Sequence, residues 1–259
     1  MCFELDSAPP IPVIRGAAVS HEELVLEAAD GNEFAAFAAT PDEPAGAGVV
    51  ILPDVRGLHP FFEELALRFA EAGVEAVAFD YFSRTAGTGK RGDDFDYQAH
   101  LPLIRHETLN QDVAASAEYL RSPEGGAVGR LFTIGFCLGG RASLVQAARP
   151  ELGLTGVIGF YPFPTGAHRT GLPAPADLAA RFSCPALAIF GGADQAIPSE
   201  ARDEFDAALN AVGIEHRIVV YEGAPHSFFD RKALQYADAS ADAWRQVLDF
   251  MGVSPRRPS

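Results

Sequence analysis

Positive charge is scarce in this sequence: 20 lysines and arginines stand against 35 aspartates and glutamates, for a formal net charge of −15. That argues against a nucleic-acid partner, because phosphate binding needs a basic footprint. A small anionic substrate stays open, since one or two local arginines override the global field at contact distance. Cysteine is scarcer still, with only Cys2, Cys137 and Cys184. An odd, sparse set makes a poor disulfide framework and points to a reducing compartment. No pair has metal-ligand spacing, so no metal is expected. No apolar stretch approaches the roughly 20 residues of a membrane span. The opening MCFELDSAPPIPVIRG has no basic start followed by an apolar run, so no signal peptide is read and the cytoplasm is the expected location. The glycine-rich turn at residues 135–140 matches neither of the phosphate-cradling patterns GxGxxG and GxxxxGK[ST].

What remains is ordinary for a soluble globular chain: 259 residues, 48% hydrophobic and 21% charged. The proline-rich opening reads as a loose leader, peripheral up to about residue 20, and the end from residue 253 as a peripheral tail. Glu23 to Ala29 and Glu33 to Thr40 read as strands joined by the turn Asp30-Gly31-Asn32. Val49-Val50-Ile51-Leu52 is a continuous apolar run, as a strand buried on both faces requires. Strands and helices then alternate. Strands are expected at Glu75 to Tyr81, Arg130 to Phe136, Gly156 to Tyr161, Ala186 to Phe190 and His216 to Tyr221. Helices are expected at Phe61 to Ala72, Glu107 to Arg121, Arg141 to Arg149, Ser199 to Val212 and Leu234 to Met251. Such alternation predicts a single α/β domain, a mostly parallel sheet with helices on both faces. Phe82 to His106 and Pro162 to Ser183 read as long irregular connections. Both follow strand ends, where open α/β sheets place their ligands.

Chemistry is concentrated in Gly135-Phe136-Cys137-Leu138-Gly139-Gly140, between a strand and a helix. It has the form of a glycine-flanked nucleophile elbow with cysteine in place of serine. The turn is too tight for flanking side chains, and it lifts the sulfur above the sheet near the positive end of a helix, which favours the thiolate. A lone cysteine at a strand end is ordinarily a small buried hydrophobe. The partners downstream set this one apart. Asp194 directly follows the apolar strand ending in Phe190, and His226 directly follows the strand RIVVYE. The chain order nucleophile, acid, histidine is that of an α/β-hydrolase. His168 and His216 receive no role.

These segments, GFCLGG, FGGADQAIP and PHSF, resemble the dienelactone hydrolase family, and the likeness runs from about Glu23 onward. It implies an α/β-hydrolase fold and a cofactor-free hydrolase of small esters or enol-lactones, with Cys137, His226 and Asp194 as the triad. It further implies that Asp54 takes the place of a glutamate holding the resting thiol. Val55 and Leu138 would supply the oxyanion N–H groups. Arg84 and Arg231 are the matches for two arginines that bind a substrate carboxylate. At the second, Asp230 occupies the family position and Arg231 stands one residue later. Tyr81, Phe82 and Phe163 are expected to wall the pocket.

The expected partner is thus a small-molecule ester or lactone, bound by a monomer or small homo-oligomer. Rival readings are a broader carboxylesterase or thioesterase, a non-catalytic binding protein, and a peroxide-sensing thiol, for which Cys2 and Cys184 are not placed to act as resolving partners.

Overall fold

The computed structural model describes residues 3–14, 19–92 and 94–254. Eight strands form one sheet in the order β1-β2-β4-β3-β5-β6-β7-β8. In chain order these are β1 (Val19–Glu27), β2 (Glu33–Pro41), β3 (Ala47–Leu52), β4 (Val74–Phe79), β5 (Arg130–Phe136), β6 (Gly156–Phe160), β7 (Ala186–Gly191) and β8 (His216–Tyr221). β1 and β2 are an antiparallel hairpin at one edge, and β2 also meets β4 antiparallel. Every other pairing is parallel. Burial follows position. The central strands β3 to β7 are buried at nearly every residue, whereas β1 and β8, at the edges, are largely exposed or half-buried.

The helices are α1 (Pro60–Glu71), the short α2 (Ser83–Ala86) and α3 (Tyr97–His100), α4 (His106–Arg121), α5 (Leu138–Val145), α6 (Ser199–Val212) and α7 (Ala237–Phe250). From β3 the chain crosses to β4 in one direction, and from β5 to β6 in the other. Right-handed crossovers therefore place α1 and α5 on opposite faces. Packing agrees: Phe69 of α1 meets Trp244 of α7 at 4.8 Å on one face, and Gln146 after α5 donates to Asn110 of α4 at 2.9 Å on the other. The reversal falls between β3 and β5, so a crevice opens at their C-terminal ends, where open α/β sheets carry ligands. Residues 54–55 follow β3 there and Cys137 follows β5.

Several expectations change. Helix α5 begins at Leu138 rather than Arg141, because Gly139 and Gly140 are helical here and not part of a loop. The 82–106 connection is not irregular; it contains α2, α3 and a 3-10 turn at Leu101–Leu103. The largest difference is the N-terminal arm. Residues 3–14 form no helix or strand and turn once at Glu4 to Ser7, yet Phe3 and Ile11 are buried, so this part is neither loose nor peripheral. At the other end Val253 is buried, with its N–H on the Leu248 carbonyl, while residues 255–259, like Cys2 and Arg15, lie outside the described residues.

Candidate active site

The elbow owes its shape to three glycines. A Cβ on Gly135 would lie 1.9 Å from the Gly139 carbonyl oxygen, and one on Gly140 2.7 Å from that of Phe160. On Gly139 it would lie 2.1 Å from the Leu52 oxygen and 2.2 Å from that of Pro53. Any side chain there would push the loop after β3 off the start of α5. Cys137 sits between these contacts at φ 56°, ψ −113°, a region that costs a non-glycine residue about 1–3 kcal/mol. Its N–H is held by the Phe160 carbonyl at 3.0 Å, and the residue is buried. Leu138 is the first residue of α5, so its N–H has no intrahelical acceptor.

Asp194 and His226 are brought together by the same device. A Cβ on Gly191, the last residue of β7, would lie 2.3 Å from the Ala224 oxygen. Only glycine lets the loops after β7 and β8 approach this closely, and the Ala193 N–H bonds to Ala224 O at 2.9 Å. Asp194 Oδ2 then stands 2.6 Å from His226 Nδ1, while its Oδ1 accepts from the Ala196 N–H. A carboxylate can only accept, so Nδ1 carries the hydrogen and Nε2 is the imidazole's basic nitrogen. The His226 ring lies 4.8 Å from that of Tyr161 and 5.8 Å from that of Phe163. Phe163, half-buried, therefore lies beside the histidine. Tyr161 does too, at φ 36°, and the sequence reading passed it over; its place after β6 is the signal that could have found it.

The remaining residues divide. Tyr81 is buried and its hydroxyl donates to the Asp54 carbonyl, so it braces the loop after β3. Phe82 is completely buried under Gly57, against Tyr81 and Phe95, and supports that turn rather than walling an open pocket. Asp54 turns its carboxylate to the N–H groups of Arg56 (2.9 Å) and Phe3 (3.0 Å), and lies 3.6 Å from His59.

The two arginines expected to bind a substrate carboxylate need correction. Arg84 donates to Asp112 through Nε (2.9 Å) and Nη2 (2.8 Å), and to Asp30 through Nη1 (2.7 Å) and Nη2 (3.2 Å). Its guanidinium is saturated by the chain's own carboxylates. Arg231 pairs with Glu64 and reaches Pro9 O at 3.4 Å, which ties the arm to α1. Arg56, which the sequence reading did not single out, stacks on the Tyr97 ring at 5.3 Å and makes no ion pair among the described residues. Cys184 precedes β7 at the opposite end of the sheet, roughly 20 Å of strand from the elbow. Burial pushes its thiol up to about 11, so it neither reaches nor resolves Cys137.

Comparison with known proteins agrees with this architecture. A carboxymethylenebutenolidase of Rhodococcus opacus is 27% identical, with 96% of each chain covered. A Yersinia pestis protein that carries the same name provisionally is 29% identical over 86% of each chain. Among solved structures, a Klebsiella pneumoniae protein provisionally named dienelactone hydrolase superposes with a TM-score of 0.79 at 25% identity, covering 91% of this chain and 99% of its own. The model of the dienelactone hydrolase family matches residues 34–254. An elbow after β5, a carboxylate–imidazole pair after β7 and β8, and this match over most of the chain lead to one conclusion: the protein belongs to the dienelactone hydrolase family of α/β-hydrolases, enzymes of ester and lactone bonds.

Proposed function

We propose that the protein hydrolyses small activated esters or enol-lactones through a covalent acyl-enzyme, with Cys137 as nucleophile, His226 as base and acid, and Asp194 as its orienting carboxylate. The observation that carries this reading is the 2.6 Å bond from His226 Nδ1 to Asp194, made at the same edge of the sheet as the strained elbow of Cys137. With Nδ1 occupied, Nε2 takes the thiol proton. The thiolate attacks the carbonyl carbon, and the tetrahedral oxyanion is met by the Val55 and Leu138 amides. Collapse breaks the C–O bond, His226 returns the proton to the departing oxygen, and the acyl group stays on sulfur. Water, deprotonated by His226, then releases the acid and regenerates the thiol. Because a thiolate is a better leaving group than a simple alkoxide, attack is productive only when the departing oxygen is stabilised, as in an enolate or a phenolate. That points to enol-lactones, the bond type suggested also by the name of a Bradyrhizobium relative, provisionally a 2-oxo-3-(5-oxofuran-2-ylidene)propanoate lactonase.

The hydrogen bonds that Arg84 gives to Asp112 and Asp30, and the tie of Arg231 to Glu64, favour a second, broader reading, an esterase of neutral activated esters, since both arginines are engaged by the chain's own carboxylates. Both readings use the same residues. Turnover of p-nitrophenyl acetate and of an enol-lactone by wild type and Cys137→Ala tests them together. The variant should lose essentially all turnover and stay folded, because alanine fits the elbow. Undiminished hydrolysis would remove the cysteine mechanism, and wild-type activity confined to the neutral ester would select the broader reading.

A further inference from the structure

The N-terminal arm lies outside the segment that matches the family, which begins at residue 34, yet it reaches the loops after β3 and β8 and the rings beside Cys137 and His226. The Phe3 ring stacks on Phe61 of α1 at 3.7 Å, 5.8 Å from that of Phe136, the residue before Cys137, and 6.3 Å from that of Tyr161, the ring beside His226. The arm continues over the loop after β8. Lys232 pairs with Glu4 and Asp6, and the Arg231 N–H bonds to Ala8 O at 2.8 Å. Farther on, the Ile14 N–H is held by Glu71 at 3.0 Å. The contact with chemical meaning is at Asp54. This carboxylate is 1% exposed and stands next to Val55 in sequence. One oxygen closes the turn on the Arg56 N–H, and the other is held by the Phe3 N–H at 3.0 Å.

We propose that Phe3 is a positioning residue of the hydrolytic reaction: its N–H, seated by its buried ring, holds the negative charge of Asp54 away from the place where the oxyanion forms. The proposal rests on the reading of Cys137 as nucleophile and Val55 as oxyanion donor. A buried carboxylate needs its donors, because without them it must find water or rotate to another hydrogen-bonding partner. A carboxylate freed from the arm would rotate within the loop that carries the Val55 N–H. A negative charge there opposes the charge developing on the carbonyl oxygen, and this penalty falls on the transition state rather than on substrate binding. The family-like expectation that Asp54 holds the resting thiol assigns its carboxylate a different partner from the one seen, and the arm accounts for its actual direction.

The test is a double-mutant cycle in the full chain, read on one neutral activated ester. Phe3→Pro removes the N–H, whereas Phe3→Leu keeps both the N–H and an apolar anchor. Phe3→Pro should lower kcat by about 10- to 100-fold with KM within about threefold, a fraction of the 10² to 10³ lost with a whole oxyanion donor. Phe3→Leu should recover most of that loss. In an Asp54→Asn background, where no charge has to be restrained, Phe3→Pro should lower kcat by less than about threefold. Equal losses in the two backgrounds, a loss confined to KM, or no loss would overturn the proposal. Should Phe3→Pro fail to fold, Phe3→Ala, which keeps the N–H but not its seat, serves in the same cycle with the same criterion. Cys137→Ala, run alongside, separates the two ideas. If it is inactive while the cycle shows no coupling, only the role of Phe3 falls; if it is active, the underlying mechanism falls first.

Discussion

The two long connections at the C-terminal edge of the sheet are both organised by arginines, but the acceptors differ. In the 162–183 connection, Arg141 directs its five N–H groups to five backbone carbonyls: Pro173 from Nε, Phe163 and Thr165 from Nη1, Gly166 and Leu172 from Nη2, at 2.7–3.2 Å. In the 82–106 connection, Arg84 and Arg91 are held chiefly by the carboxylates of Asp112, Asp30 and Asp80. Carbonyls do not titrate, so the first loop keeps its shape, and with it Phe163 beside His226, at any pH where arginine is charged. Burial lowers Arg141 only to about 10, so that range covers neutral conditions. The second loop depends on carboxylates that burial disfavours when ionised. On the proposed mechanism, the 162–183 side then serves the chemistry and the 82–106 side serves stability.

The sharpest way to break that division is at the acid of the carboxylate–imidazole pair. Asp194→Asn should lower kcat by about 10⁴, because the amide can turn its NH₂ to Nδ1 and upset the tautomer of His226, a loss of the size known for an analogous triad. Asp230→Asn, four residues after the histidine, should leave kcat within about threefold. Equal effects in steady-state kinetics would mean that the wrong carboxylate has been chosen.

Next in size are the two arginines themselves. Arg84→Ala leaves Asp112, fully buried, without its cation, and should cost about 3–5 kcal/mol of stability in urea unfolding. Its effect on kcat/KM should be the same for a carboxylate-bearing and a neutral ester. Arg141→Met should likewise cost several kcal/mol, since buried carbonyls lose their donors at about 1–3 kcal/mol each, less than additively. It should also lower activity in the protein that remains folded, because Phe163 is no longer held. A carboxylate-selective loss in the Arg84 variant would return that residue to the substrate site.

The smallest effect is one of pH. Burial raises Asp112 from 3.8 to about 6 against the pull of Arg84. Between those values the folded state binds the proton and the unfolded chain does not. This group therefore makes stability fall as pH rises from about 4 to 6 and adds no slope above that. Asp112→Asn should remove that slope, about 3 kcal/mol across the window, measured as the difference in unfolding free energy between variant and wild type. Parallel pH profiles would show that the 82–106 side is no more sensitive to pH than its counterpart.

How far the sequence could be read follows the range of the interactions involved. The strands β3 to β7 were legible because burial on both faces demands uninterrupted apolar runs, and Val49 to Leu52 can be little else. The start of α5 was missed by three residues, since Gly139 and Gly140 mimic a loop when their reason, the approach of the Leu52 and Pro53 carbonyls, is not in view. Motif position alone points Arg84 and Arg231 at a substrate. Their partners lie 28, 54 and 167 residues away, a separation at which no pattern in the sequence reports a contact. The arm reads as loose for the same reason, because its prolines and lack of period say nothing of a stacking partner in α1.

By itself the sequence determined the order of strands and helices, the glycine elbow, and the chain order of Cys137, Asp194 and His226. These rest on backbone sterics and hydrophobic periodicity, which act between neighbours along the chain. Tertiary structure decided which charges are available. It saturated Arg84 with Asp30 and Asp112, tied Arg231 to Glu64, and turned Asp54 toward the Phe3 N–H. A charge is satisfied by whatever the fold brings within about 3 Å, and that is a property of the packed molecule rather than of any local stretch of chain.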